Sequence, residues 1–139
     1  MRSVPMVSAQ DRSLVRKSFE SERMDIDAFA TAFYAKFFAA CPEVRPLFSR
    51  NMTRQEEKLL AILTHVAEAL DDSARLDAIL KQQGEKHRKR EVSDAHFRGF
   101  IASFTGALSE TLGPDWSTEA ELAWTRFLTF VAGKMNFSA

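Results

Sequence analysis

Residues 25–48 read DIDAFATAFYAKFFAACPEVRPLF, and this stretch decides the class of fold. Aromatic residues recur between positions 29 and 38 at the three- and four-residue spacing that lines one face of an α-helix. Asp25 precedes them and is a favoured N-cap residue. Pro42 cannot continue this helix but suits the first turn of another. The stretch therefore predicts a helix with a wide apolar stripe, then a short helical turn over 42–48.

The same helical periodicity extends through the rest of the chain, with no alternation typical of strands. Helices are predicted after Ser8, over 53–70, from residue 73, from Ser93 to Gly113-Pro114, and from Thr118 onward. Thr53 with Glu56, and Thr118 with Glu121, have the spacing of capping boxes. Seven helical segments with short links predict an all-α fold of packed layers.

Composition indicates an ordinary globular domain. The 139 residues are 45% hydrophobic and 27% charged, and 19 basic residues balance 19 acidic ones. No net field therefore draws the chain to nucleic acid or to anionic lipid. Cys41 is the only cysteine, which excludes an internal disulfide and suits a reducing compartment. No apolar run is long enough to span a membrane, and no signal peptide is recognisable. We expect a cytoplasmic protein with an N-terminal extension (1–7) and one domain (8–139).

His87 is the most informative candidate for chemistry. It shares one helical face with Leu76, Ile79, Leu80 and Gly84, so the imidazole is predicted at the end of a buried stripe. Gly84, one turn earlier, would let a flat ligand or another helix approach the backbone. From the residues alone, a core histidine bonded to a carbonyl remains the simpler alternative to an iron ligand.

Two polar residues stand at the edge of apolar stripes. Tyr34 lies among phenylalanines, so its hydroxyl needs a partner, either a carbonyl or a bound ligand. Gln55 begins the stripe that continues with Leu59, Ile62 and Val66, although a position near the surface would explain it equally well.

The remaining polar features have plainer explanations. His65 is predicted at the surface, and His96 in the first turn of its helix suits a role in anchoring a loop. The charged run 86–91 is typical of a solvated helix end. Glycines are scattered rather than grouped in a phosphate loop, and the histidines and cysteine lack zinc or nucleophile spacing.

Several segments, taken in order, resemble the globin family, above all bacterial single-domain globins and the haem domain of flavohaemoglobins. These segments are FYAKFF (33–38), CPEVRPLF (41–48), QEEKL (55–59), GEKHRKREVSDAHF (84–97) and AWTRF (123–127). The likeness covers about residues 8 to 136. The spacings from Gln55 to His87 and from His87 to His96 fit the family pattern without a gap. The resemblance implies about seven helices in a 3-on-3 sandwich around haem b.

The resemblance also implies roles for particular residues. His87 would be the proximal iron ligand, with its other ring nitrogen bonded to a backbone carbonyl near Gln83. Tyr34 and Gln55 would be the distal pair, either of which could reach the ferric iron. Further haem contacts would come from the corner, both faces of the pocket and the last helix: Phe48, Leu59, Leu80, Val92, His96, Phe97, Trp124, Phe127 and Val131.

These roles imply reversible binding of O2, NO or CO, and tight O2 binding because a hydroxyl and an amide can both donate to it. Flavohaemoglobins add a proximal tyrosine and glutamate, but position 97 is phenylalanine and no glutamate follows Glu121. This difference argues against peroxidase-type activation. There are three alternatives: an NO dioxygenase, a haem-based gas sensor and a haem-free interaction module. The dioxygenase would need a separate reductase, since these residues include no reductase domain. The chain could be a monomer or a homodimer.

Overall fold

The computed structural model describes residues 7–89 and 93–135. Within these ranges the chain forms six α-helices and two short 3-10 helices and has no strand. The α-helices are α1 (Ala9–Glu20), α2 (Ile26–Ala40), α3 (Thr53–Glu68), α4 (Ser73–Lys89), α5 (Asp94–Leu112) and α6 (Thr118–Lys134). The 3-10 helices are Pro42–Leu47, which we call the corner helix, and Gly113–Asp115. The all-α class is confirmed.

Three predicted helix starts are confirmed by their caps. The side chains of Ser8, Asp25 and Ser93 each accept a hydrogen bond from the backbone N–H three residues later. α5 ends at Gly113, whose positive φ of 51° is a conformation that glycine adopts without steric cost. Local capping chemistry therefore sets these boundaries as the sequence indicates.

The two predicted capping boxes are wrong. α3 has Met52 at its N-cap, so Thr53 is already helical, and its N–H donates to Asn51 Oδ1 at 2.9 Å. α6 has Ser117 at its N-cap, and Ser117 Oγ accepts from the N–H of Ala120 at 3.0 Å. In both cases the residue before the threonine is the N-cap, Met52 without a side-chain cap bond and Ser117 with one, so the helix begins one residue earlier than the threonine pattern indicates.

The helices pack in two layers as a 3-on-3 sandwich. α2 packs along α5 and α1 along α6, while α5 and α6 also meet. α3 rests on α2, and α4 rests on α6. Aromatic rings fill the centre, with Phe104 in edge contact with Phe29 at 4.9 Å and tilted against Trp124 at 5.4 Å between ring centroids.

Two polar links hold α1 against α6. The Trp124 indole donates to Ser18 Oγ at 2.9 Å in a buried position. Arg126 donates to both carboxylate oxygens of the buried Asp11, at 2.7 and 2.9 Å. Because the guanidinium donates to its carboxylate, the pKa of Asp11 is lowered from its ordinary value. Among the helices that the structure describes, none is both long and apolar enough to cross a membrane.

Candidate functional site

Tyr34 and Gln55 meet across two helices. α2 carries the tyrosine and the first turn of α3 carries the glutamine, and Gln55 Nε2 donates to the Tyr34 hydroxyl oxygen at 3.1 Å. The partner of the buried phenol is thus the glutamine, rather than a backbone carbonyl. The sequence predicted both residues for one site, and the structure brings them together.

The Tyr34 hydroxyl is suited to donate a hydrogen bond. Burial raises the pKa of this phenol, while the Gln55 hydrogen bond lowers it and the charge of Glu56 raises it further. The phenol therefore keeps its proton at neutral pH. Since its oxygen already accepts from Gln55, the O–H can point to a different acceptor.

An aromatic wall flanks this pair. Phe48 follows the corner helix, and its ring lies 5.9 Å from that of Tyr34 and 5.3 Å from that of Phe38. Phe48 and Leu59 are both half-buried and pack on the main core. Apolar side chains therefore lie beside two hydrogen-bond donors, the kinds of group that line small-molecule sites.

His87 lies on α4, and its ring orientation is held by its own helix. Its Nδ1 is 2.7 Å from the carbonyl oxygen of Gln83, one turn earlier, which confirms the predicted bond. A carbonyl can only accept, so Nδ1 carries a proton here, and in a neutral imidazole Nε2 is then the nitrogen whose lone pair a metal would use. The histidine is half-buried and Leu80 on the same helix is buried.

Gly84 provides close contact with another helix. A Cβ at this position would lie 2.6 Å from the carbonyl oxygen of Met135, at the end of α6. The sequence left open whether a helix or a flat ligand approaches this glycine. The structure shows that the end of α6 does so, which fixes α4 one turn before His87.

His96 joins α5 to the corner helix. Its Nδ1 accepts from the N–H of Ser93 at 3.2 Å, and its Nε2 lies 3.1 Å from Glu43 Oε2. Together with the bond from the His96 N–H to Ser93 Oγ, this forms a capping box. Both ring nitrogens have partners, so the structure gives His96 the anchoring role that was the plainer expectation.

The other described residues that the sequence predicted for the site, on α5 and α6, are buried in the helical core. Phe97 is buried with its ring 5.0 Å from that of Phe100. Trp124 faces α1 and α5, since its indole bonds Ser18 and its ring contacts Phe19 and Phe104. Two further residues of α6 are buried in the core, Phe127 and Val131. Val92 lies outside the described residues.

The sequence pattern did not single out Arg45. It stands on the corner helix between Pro42 and Pro46, and its guanidinium donates to the carbonyl oxygens of Phe48, Ser49 and Arg50. These bonds span three to five residues, so no helical periodicity signals them.

The residues fit a haem group. One imidazole with a set tautomer, two hydrogen-bond donors and an aromatic ring at a corner are the groups that axial ligation and a distal pocket use. Within the described ranges no three histidine, cysteine, aspartate or glutamate side chains group so that they could hold a metal ion. α3 carries Gln55 and α4 carries His87, and these two helices have few contacts with each other within the described residues.

An all-helical sandwich with a half-buried histidine on α4 and a tyrosine–glutamine pair between α2 and α3 has the features of a class of haem protein. The Globin family model matches residues 31–135, so the chain belongs to the globin family. Membership of this family implies haem binding.

The relatives of this chain are named for several different activities. A protein named anaerobic nitrite reductase HBI from Casuarina glauca is 24% identical over 86% of this chain and 88% of its own. A flavohemoprotein from a Burkholderia strain is 28% identical over 86% of this chain, which corresponds to 31% of that protein. A solved structure superposes with a TM-score of 0.80 and 28% identity, covering 91% of this chain and 89% of its own. It is an engineered carbene transferase from Rhodothermus marinus, provisionally assigned as a nitric oxide dioxygenase.

Proposed function

We propose that the chain binds haem b through His87 and reversibly takes up a diatomic gas, with O2 held tightly. The observation that carries the proposal is the bond between Gln55 and Tyr34, which presents a neutral phenol as a donor beside an apolar wall. When bound, haem supplies a ferrous iron to which O2, NO or CO can attach.

The distal side chains act by hydrogen bonding. Gln55 donates one amide hydrogen to Tyr34, which directs the phenol proton away from the glutamine, and its second amide hydrogen remains for a ligand. Both donors would stabilise a ligand that carries partial negative charge. A charge-assisted hydrogen bond of this kind contributes about 1.5–3 kcal/mol. We expect slow release of O2, because each additional stabilisation of about 1.4 kcal/mol lowers the dissociation constant tenfold.

The proximal side favours holding a ligand over activating it. His87 Nδ1 donates to a neutral carbonyl of Gln83, and a carbonyl raises the basicity of the ring less than a carboxylate would. Phe97 offers no hydroxyl to the proximal side. We therefore propose gas storage, delivery or scavenging as the role of this pocket.

An absorption spectrum of the purified chain with added haem tests the proposal. The expected result is a Soret band that is lost or shifted to a weakly ligated form in His87→Ala. His65→Ala is the matched control, since His65 is an exposed histidine on α3. Absence of a Soret band in the unsubstituted chain, or equal spectra for His87→Ala and the control, would refute the assignment.

NO dioxygenation is the second candidate, favoured by the Rhodothermus marinus neighbour and the Burkholderia flavohemoprotein. It requires electrons from a reductase, and the region that matches this chain is 31% of that flavohemoprotein. Sustained consumption of NO with a reductase and O2 present would support it, whereas a single stoichiometric turnover would leave gas binding as the role. Turnover of nitrite with the reductase, in the absence of O2 and NO, would instead align the chain with the Casuarina glauca relative.

A further inference from the structure

Arg45 donates hydrogen bonds to backbone carbonyls of the segment that joins the corner helix to α3. Its NH1 donates to the carbonyl oxygens of Phe48 and Ser49 at 3.3 and 3.0 Å, and its NH2 to that of Arg50 at 3.3 Å. Three consecutive carbonyls therefore converge on one guanidinium. We call residues 48–52 the distal segment.

The same guanidinium also contacts α2. Its central carbon lies 5.0 Å from the centroid of the Phe38 ring, in cation–π geometry, and that ring contacts Phe48. Arg45 is half-buried, and among the ranges that the structure describes no carboxylate lies within ion-pair distance of it. Its positive charge is thus directed to backbone dipoles and an aromatic face.

The distal segment connects two parts of the candidate site. Phe48 begins it, and Gln55 lies in the first turn of α3 directly after it. Ser49 Oγ donates to the Asn51 carbonyl at 2.7 Å, and Asn51 Oδ1 accepts from the Thr53 N–H at 2.9 Å, so the hydrogen bonds continue from Arg45 to the start of α3. Moving the segment would move both the ring and the amide.

We infer that Arg45 is a positioning residue, whose fork of donors keeps the distal segment closed and so keeps Phe48 and Gln55 in place beside Tyr34. The part of this inference that concerns haem rests on the proposed function. Lysine cannot replace the arginine fully, because a compact ammonium lacks the planar fork that reaches several carbonyls in one geometry.

Trypsin cleavage at the Arg50–Asn51 bond measures opening of the distal segment with or without haem. The Arg45–Pro46 bond resists trypsin because proline follows it, so substituting Arg45 removes no competing site. Arg45→Met is expected to speed cleavage after Arg50 at least tenfold, and Arg45→Lys to give an intermediate rate. Equal cleavage rates for Arg45→Met and the unsubstituted chain would overturn the inference.

Two controls separate positioning from general stability. Glu57→Gln changes an exposed residue of α3 without removing a trypsin site and should leave cleavage after Arg50 unchanged within twofold. Ser18→Ala weakens the fold at the distant junction of α1 and α6. If Ser18→Ala speeds the cleavage as much as Arg45→Met does, Arg45 acts only through global stability and the inference fails.

Transfer of haem to an excess of an apoglobin acceptor tests the consequence for the site. Arg45→Met should lose haem at least tenfold faster than the unsubstituted chain, with Arg45→Lys between them and both controls unchanged. Unchanged haem loss in Arg45→Met would overturn the role at the site. If the chain takes up no haem but Arg45→Met still opens the segment, the proposed function fails and the positioning of the distal segment stands.

Discussion

Gly84 lies against the backbone of Met135, so that a methyl group on its Cα would come within 2.6 Å of the Met135 carbonyl oxygen and 2.8 Å of its Cα. Both partners are backbone atoms, which cannot rotate away as a side chain could. The contact therefore joins the turn of α4 that precedes His87 to the end of α6, and only glycine leaves room for it.

Gly84→Ala should destabilise the protein by up to about 2 kcal/mol, because overpacking costs about 1–3 kcal/mol and the gain in helix propensity offsets about 1 kcal/mol of it. Chemical denaturation followed by circular dichroism measures the change. Gly106→Ala is the matched control, since its new methyl group meets Lys36 Cδ at an ordinary 3.5 Å, and it should raise stability by up to about 1 kcal/mol. A stabilised Gly84→Ala variant would contradict the close contact.

Ser18→Ala should lower the free energy of unfolding by about 1–3 kcal/mol, because the buried Trp124 N–H loses its acceptor. Thermal or urea unfolding measures the loss, and a change in Trp124 fluorescence should accompany it. Ser109→Ala, at an exposed serine of α5, is expected to stay within about 0.5 kcal/mol of the unsubstituted protein. Equal stabilities for the two variants would show that the indole bond does not contribute.

Tyr34→Phe should accelerate O2 dissociation tenfold or more, since the donor removed is worth about 1.5–3 kcal/mol. Stopped-flow displacement of O2 by CO measures the rate. Gln55→Leu should have a smaller effect alone and couple with Tyr34→Phe in a double-mutant cycle, because the two side chains share a hydrogen bond. Gln82→Leu, an exposed glutamine of α4, serves as control, and an unchanged rate in Tyr34→Phe would exclude the phenol as donor.

Acid should weaken the link between α1 and α6. The pKa of Asp11 is lowered in the folded protein, chiefly by hydrogen bonds from Arg126, so its contribution is fully present above the unfolded pKa of about 3.9. The contribution is lost as the pH falls through the lower folded pKa. The melting temperature of Asp11→Asn should therefore lie below that of the unsubstituted protein at neutral pH, and the two should converge in strong acid.

Melting curves from pH 7 to pH 2 measure this convergence. Asp27→Asn is the control, because Asp27 is an exposed acidic residue in the first turn of α2. A difference between Asp11→Asn and the unsubstituted protein that stays constant down to pH 2 would show that the carboxylate charge of Asp11 does not hold the two helices together.

Much of the candidate site could be predicted from sequence. The helical spacing placed His87 at the end of a buried stripe, and the resemblance to globins implied its bond to a carbonyl near Gln83, one turn earlier. Tyr34 and Gln55 were predicted as a pair only through the resemblance to globins, because they lie on different helices. Arg45 could not be found from sequence, since its partners are backbone carbonyls, which every residue possesses.

The sequence by itself determined where most helices lie, because apolar spacing, N-cap side chains and Gly113-Pro114 act within a few residues of each other. It misplaced the N-caps at Thr53 and Thr118, because the residue before each threonine, Met52 or Ser117, takes the N-cap position. Only the tertiary structure decided that Gln55 is the partner of Tyr34, that α6 approaches Gly84, and that Trp124 faces Ser18. Each of these contacts joins different helices, and the packing of the whole core decides which side chains meet.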